Sequence, residues 1–261
     1  MVIGASTANL YPMLTEEALD TLLALGFRNL EVFVNTESEI VPAFLRLLRD
    51  KADAAGARIL SLHPFISGIE PYLLFSAYER RFQDGLRFYA RLFEAAAFLG
   101  AKLVVMHGDK AQGVLPVEHA LDRYESVYDL GRQYGVTLAQ ENVVRFRSED
   151  NAYLAAMRRQ LGPKANFVFD VKQCRRCGHT IESVLEAMGQ GVVHVHISDN
   201  DAEHDCLLPG RGQVDYAALL AALKQAGFDG AIMLELYRTN FQEATDLLEG
   251  KRFLESILQA C

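Results

Sequence analysis

A chain of 261 residues, half of them hydrophobic, can bury one sizeable core, and a barrel of about 250 residues is a common way to do so. Asp and Glu number 34 against 26 Lys and Arg, and the resulting net charge of −8 has the wrong sign for gripping nucleic acid through its phosphates. Nothing from Met1 to Leu14 reads as a secretion signal, no stretch is apolar for long enough to span a bilayer, and cysteines at 174, 177, 206 and 261 are too few for a disulfide scaffold. The expectation is a cytoplasmic protein with reduced thiols and neither a membrane nor a nucleic-acid partner.

In chain order, short and nearly continuous apolar runs occupy Val2 to Ser6, Asn29 to Val34, Arg58 to His63, Lys102 to His107, Val136 to Asn142, Asn166 to Val171, Val192 to Ile197 and Ala231 to Leu236. Each run after the first follows an amphipathic stretch that ends near a glycine, at 26, 56, 100, 135, 162, 191 and 227. Glycine suits the left-handed residue that closes a helix, and apolar runs of this kind suit parallel strands covered on both faces. Helix starts are expected at Thr15, Pro116, Ser148, Thr180, Asp215 and Asn240, the last with Glu243 three residues on. Eight strands alternating with eight helices predict an α/β fold, a (β/α)8 TIM barrel, as a single domain over 1–261.

Seven of the eight runs carry an ionisable residue at or near the C-terminal end: Glu31, His63, His107, Glu141, Asp170, His196 and Glu235. That end is where this fold places its chemistry. For any single one of them, a hydrogen bond to a neighbouring loop explains the residue equally well. Glu141, Asp170, His196 and Glu235 lie on four consecutive strands whose ends converge, and a shared cation would relieve their desolvation together. Three carboxylates and one imidazole suit one divalent metal ion, Mn2+ or Zn2+ first, with Mg2+ and Co2+ also compatible. His194, two residues before His196 on the same strand face, reads as a hydrogen-bonded core histidine.

The sequence resembles the xylose isomerase-like superfamily of sugar phosphate isomerases and epimerases, which also includes endonuclease IV. The resemblance covers nearly the whole chain. It rests on Leu-Glu-Val at 30 to 32, Leu-His-Pro at 62 to 64, Met-His-Gly at 106 to 108, Gln-Glu-Asn at 140 to 142 and Phe-Asp-Val at 169 to 171. It continues through Val-His-Val-His-Ile-Ser-Asp at 193 to 199, Pro-Gly-Arg-Gly at 209 to 212 and Leu-Glu-Leu at 234 to 236. The resemblance implies that Glu141, Asp170, His196 and Glu235 form the metal site of a ketose epimerase, with Glu141 and Glu235 also acting as acid and base. A metal chelating a carbonyl and the adjacent hydroxyl acidifies the C–H between them and stabilises the enediolate left when the proton departs.

The match to a three-zinc site is incomplete. His63 and His107 match ligands of an extra site bridged by Glu141, and they serve either as a second metal pair or as donors to substrate hydroxyls. Gln173 stands three residues after Asp170 where a histidine is expected, while His204 and Cys206 occupy the places of an Asp and a His. Glu31, Gln173, His204, Arg211 and Arg238 are expected to contact substrate. Arginines at 145, 147, 175, 176, 211 and 238 follow strand ends, either as solvated loop charge or as recognition of a phosphate or carboxylate. Cys174 and Cys177 have redox-motif spacing but no thioredoxin-like context.

These observations point to a metal-dependent isomerase or epimerase of a sugar, sugar phosphate or polyol, neutral or anionic, in a chain that could also form homo-oligomers. A zinc metallohydrolase of endonuclease IV type, an inosose-type dehydratase and a metal-bearing binding protein remain the alternatives.

Overall fold

The computed structural model describes residues 1–260, and Cys261 lies outside the described residues. Strands β1 (Val2–Ser6), β2 (Asn29–Val34), β3 (Arg58–Pro64), β4 (Leu103–Met106), β5 (Thr137–Glu141), β6 (Phe167–Asp170), β7 (Val192–Ile197) and β8 (Ala231–Leu234) pair in sequence order. All pairings are parallel, and β8 closes onto β1 with Val2 opposite Ala231 and Ala5 opposite Leu234. The barrel expected from the apolar runs is therefore formed, each strand within two residues of its expected bounds.

Around it run α1 (Thr15–Ala24), α2 (Pro42–Ala54), the one-turn α3 (Glu70–Leu73), α4 (Glu79–Leu99), α5 (Val117–Gln133) and α6 (Asn151–Leu161). The short α7 (Val171–Arg176), α8 (Ile181–Met188), α9 (Tyr216–Gln225) and α10 (Asp246–Ala260) complete the ring. With α3 and α7 set aside as additions to the loops after β3 and β6, eight helices alternate with the eight strands among the described residues. Thr180 and Asp215 cap α8 and α9 as expected, accepting from the Ser183 and Ala218 backbone N–H groups.

Two starts differ from the expectation. Ser148 lies in a 3-10 turn, and Asp150 caps α6 instead, accepting from Ala152 N. Asn240 ends another 3-10 turn, and α10 begins only at Asp246. The sixth helix-closing glycine is also displaced: Gly189, with φ of 56°, ends α8. Gly191 is needed for another reason, because a Cβ there would meet the Ala165 carbonyl oxygen at 2.5 Å.

Alternation along the strands sorts the interior. Leu103, Val105, Ala139 and Val168 form a separate apolar cluster inside the barrel, and the larger core lies between strands and helices. Glu31 pairs in register with Ser6 and Ser61, and Val168 with His194, so a buried polar patch lies beside that cluster. Farther along the strands, His63, Glu141, Asp170 and His196 crowd the mouth, all but fully buried.

Candidate metal and active site

Side chains from adjacent elements clamp the strand ends that carry the site. Glu141 ends β5 between two amides. The Gln140 amide donates to the carbonyls of Met106, His107 and Glu141, tying β5 to β4. The Asn142 side chain donates to Asp170 O at 3.0 Å and accepts from Asp170 N at 2.8 Å, tying β5 to β6. Asn9 does the same for Glu235: it donates to Ser6 O and Leu234 O, each at 2.8 Å, and accepts from Leu236 N at 2.6 Å. Glu70 of α3 accepts from His107 N and Gly108 N and from the Tyr89 hydroxyl, which holds the end of β4.

Asp170 caps α7, its Oδ1 accepting from Gln173 N at 2.9 Å. The cap fixes the carboxylate so that Oδ2 faces the mouth. There His196 Nδ1 lies 3.9 Å from Asp170 Oδ2, 3.5 Å from Glu141 Oε1 and 3.3 Å from Glu235 Oε2. One ligand atom from each of these four residues lies within 4.8 Å of the others. Asp170 Oδ2 and His196 Nδ1 are buried without a well-directed hydrogen bond, as expected of atoms arranged around a cation.

The electrostatics agree with that fit. Burial opposes charge on His196, yet the Glu235 and Glu31 carboxylates outweigh it and hold the imidazole well above its usual range. Burial would raise Glu141, but His107, His196 and His63 keep it well below the usual carboxylate range. Burial, reinforced by Glu141 and Glu235, pushes Asp170 up to about 7 despite the nearby Lys172 ammonium. So dense a field of negative charge draws a cation. The residues present fit a divalent metal bound by three carboxylates and one imidazole.

Glu31 lies deeper than expected. It is the third residue of β2 rather than its last, is 0% exposed and lines no part of the mouth. Its Oε2 accepts from Ser61 at 2.8 Å and faces Nε2 of His194 at 3.1 Å and of His196 at 3.2 Å. A carboxylate can only accept, so Glu31 fixes the proton of His196 on Nε2 and leaves Nδ1 as the ligand atom. His194 is the hydrogen-bonded core histidine expected.

His63 and His107 come together over Glu141. Their Nε2 atoms are 3.3 Å apart and lie 3.6 and 2.8 Å from Glu141 Oε2. The three could hold a second ion. Above them opens a cavity of about 670 Å3, walled by Tyr11, Phe33, Phe65, Leu236 and Tyr237, with Asn35 and Thr36 at its edge and His63, His107, Glu141 and Glu235 also lining it.

Of the residues expected to contact substrate, Gln173 lines this cavity, and Glu31, His204, Arg211 and Arg238 do not. His204 is exposed beside Asp201, Arg211 pairs with Glu249 at 2.7 Å, and Arg238 donates to the carbonyls of Phe241 and Gln242. Arg147 turns away to Asp109 and to the carbonyls of Gly113 and Leu115, and Arg176 pairs with Asp205. None of the six arginines lines the cavity. Cys174 and Cys177 are free, and burial pushes their thiols up to about 12 and about 11.

Sequence reasoning missed Lys172. Its side chain is 6% exposed, with Nζ 3.2 Å from Asp170 Oδ2 and 2.9 Å from Glu235 Oε2. Burial disfavours the ammonium, but these carboxylates outweigh it and keep the lysine charged. The available signal was its place two residues after a strand-end Asp.

A model of the xylose isomerase-like TIM barrel family matches residues 19–257. The chain belongs to that family. An uncharacterized protein of Mycobacterium leprae is 27% identical to it, with 98% of this chain and 97% of the other covered. An inosose isomerase of Bacillus velezensis is 30% identical over 127 residues, 45% of each chain. Among solved structures, a D-tagatose 3-epimerase-like protein superposes with a TM-score of 0.83 at 20% identity, covering 100% of this chain and 98% of that one. The xylose isomerase-like barrel is thus established over nearly the whole length, and its neighbours are sugar epimerases and isomerases.

Proposed function

We propose that this chain is a divalent-metal-dependent isomerase or epimerase acting on an uncharged sugar or cyclic polyol ketone. The observation that carries the reading is the convergence of Glu141, Asp170, His196 and Glu235 beneath an aromatic-walled cavity. The inosose isomerase and epimerase names among its relatives favour the same class.

A divalent cation held by these four residues would polarise a carbonyl and its neighbouring hydroxyl and lower the barrier to removing the proton between them. Glu141, which ends β5, and Glu235, just past β8, would approach that position from different sides. One takes the proton from carbon and the other returns it, a general acid-base contribution of about 10²- to 10⁴-fold. His107, 2.8 Å from Glu141 Oε2 and part of the cavity lining, can bridge that carboxylate and a substrate hydroxyl. Tyr11, Phe33, Phe65 and Tyr237 offer ring faces to the C–H surface of a sugar. No arginine lines the cavity, and Lys172, which does, is already paired with Asp170 and Glu235, so a neutral substrate fits better than a sugar phosphate.

The test has two steps. Metal content of protein purified without added metal or chelator is expected to be about one Mn or Zn per chain. The loaded protein is then incubated in D2O with ketoses and keto-inositols, and deuterium entering next to the carbonyl is followed by NMR. A metal-loaded protein that exchanges no carbon-bound proton across that panel overturns the reading. The His63, His107 and Glu141 triad supports a second reading, a two-metal hydrolase, which two zinc ions per chain and turnover of a phosphodiester would favour.

A further inference from the structure

Lys172 stands on the first turn of α7, two residues past Asp170, with its buried ammonium over the converging strand ends. It contacts Asp170 Oδ2 and Glu235 Oε2, the same two oxygens that face His196 Nδ1 across the ligand cluster. A divalent ion bonds carboxylate oxygens at about 2.0–2.2 Å and repels an ammonium sharing them. Glu141, Asp170 and Glu235 bring three carboxylates together, and Lys172 sets a positive charge against two of them before any ion arrives. The Tyr237 ring, with its centroid 5.2 Å from Nζ, offers a π face to which the ammonium can move.

We infer that Lys172 is the internal counter-cation of this site: it bridges Asp170 and Glu235 in the metal-free protein, and an arriving divalent ion displaces it. One side chain then sets how tightly the metal is held, and the carboxylates keep their arrangement when the metal is gone. The inference rests on the reading that Glu141, Asp170, His196 and Glu235 hold a divalent ion.

The experiment compares the full-length protein with Lys172→Met and Lys172→Gln, the second keeping a hydrogen-bond donor in case the first folds poorly. Mn2+ affinity is read from the free ion by electron paramagnetic resonance, and melting temperature is measured with and without Mn2+. Both variants are expected to bind Mn2+ at least tenfold more tightly, to melt lower than wild type without metal, and to gain more on adding it. Wild-type protein that binds Mn2+ no more weakly than the folded variants overturns the role of Lys172 and leaves the metal site standing. Failure of all three proteins to bind Mn2+ or Zn2+ overturns the metal reading and this inference with it.

Discussion

The Glu31 carboxylate lies 3.2 Å from Nε2 of His196 and turns the other nitrogen of that ring toward Glu141, Asp170 and Glu235. A buried acceptor behind a ligating histidine sets its tautomer and angle and raises its basicity. Glu31→Gln keeps the volume and removes the charge, so metal affinity should fall by about 10- to 100-fold with circular dichroism unchanged. Chelator competition measures it, and an unaltered dissociation constant would show that Glu31 has no hold on the metal.

Glu141→Gln and Glu235→Gln should each lower turnover at saturating metal by about 10²- to 10⁴-fold. The measurement is kcat, together with solvent deuterium exchange, on whichever ketose the panel identifies. Full activity in both variants would remove the two-glutamate mechanism.

Asn9 is 0% exposed and bonds β1 to β8 through three hydrogen bonds beside Glu235. Asn9→Ala strands two carbonyls and an N–H, at a cost of about 2–3 kcal/mol. Urea melts should show that loss with the m-value unchanged, and a stability change below about 0.5 kcal/mol, the range of ordinary surface substitutions, would mean that the barrel closes without this clamp.

Burial, with Glu149 and Asp170 adding to it, pushes the Cys177 thiol up to about 11. A raised thiol pKa means less thiolate, about one molecule in ten thousand at pH 7. Alkylation of Cys177 by iodoacetamide should therefore keep rising about tenfold per pH unit beyond the point near 8.5 where an ordinary thiol levels off. A plateau near pH 8, read by mass spectrometry in a Cys174→Ser, Cys206→Ser background, would revive a redox role for the pair.

Arg211 and Arg238 spend their hydrogen bonds on Glu249 and on loop carbonyls away from the cavity. Arg211→Ala and Arg238→Ala should leave KM for a neutral sugar within about twofold of wild type, less than one lost hydrogen bond would cost. A rise of tenfold or more in either would bring these side chains into substrate recognition.

The barrel was legible because its strands are short, apolar and punctuated by helix-closing glycines, and the ligand set because Glu141, Asp170, His196 and Glu235 sit at consecutive strand ends. Glu31 was misjudged in depth: a position two residues earlier on a strand changes a mouth residue into a buried one, and the apolar neighbours are alike in both cases. The arginines could not be placed, because loop geometry rather than strand phase directs them. Lys172 escaped notice because a lysine opening a helix reads as a solvated charge, and only the tight turn from β6 into α7 brings it over the carboxylates. The late start of α10 has a similar origin, since the 3-10 turn at Arg238–Asn240 takes up the residues that looked like a cap.

The amide clamps at Asn9, Gln140 and Asn142 bond to backbone groups at and just past the strand ends, and none of them bonds to Tyr11 or Phe65 in the cavity wall. The cage of ligands is therefore inherited with the barrel, while the choice of sugar is left to Tyr11 and Phe65 on segments that can vary without disturbing it. Exchanging those segments for a relative's should change which substrate is accepted and leave the metal affinity where it was.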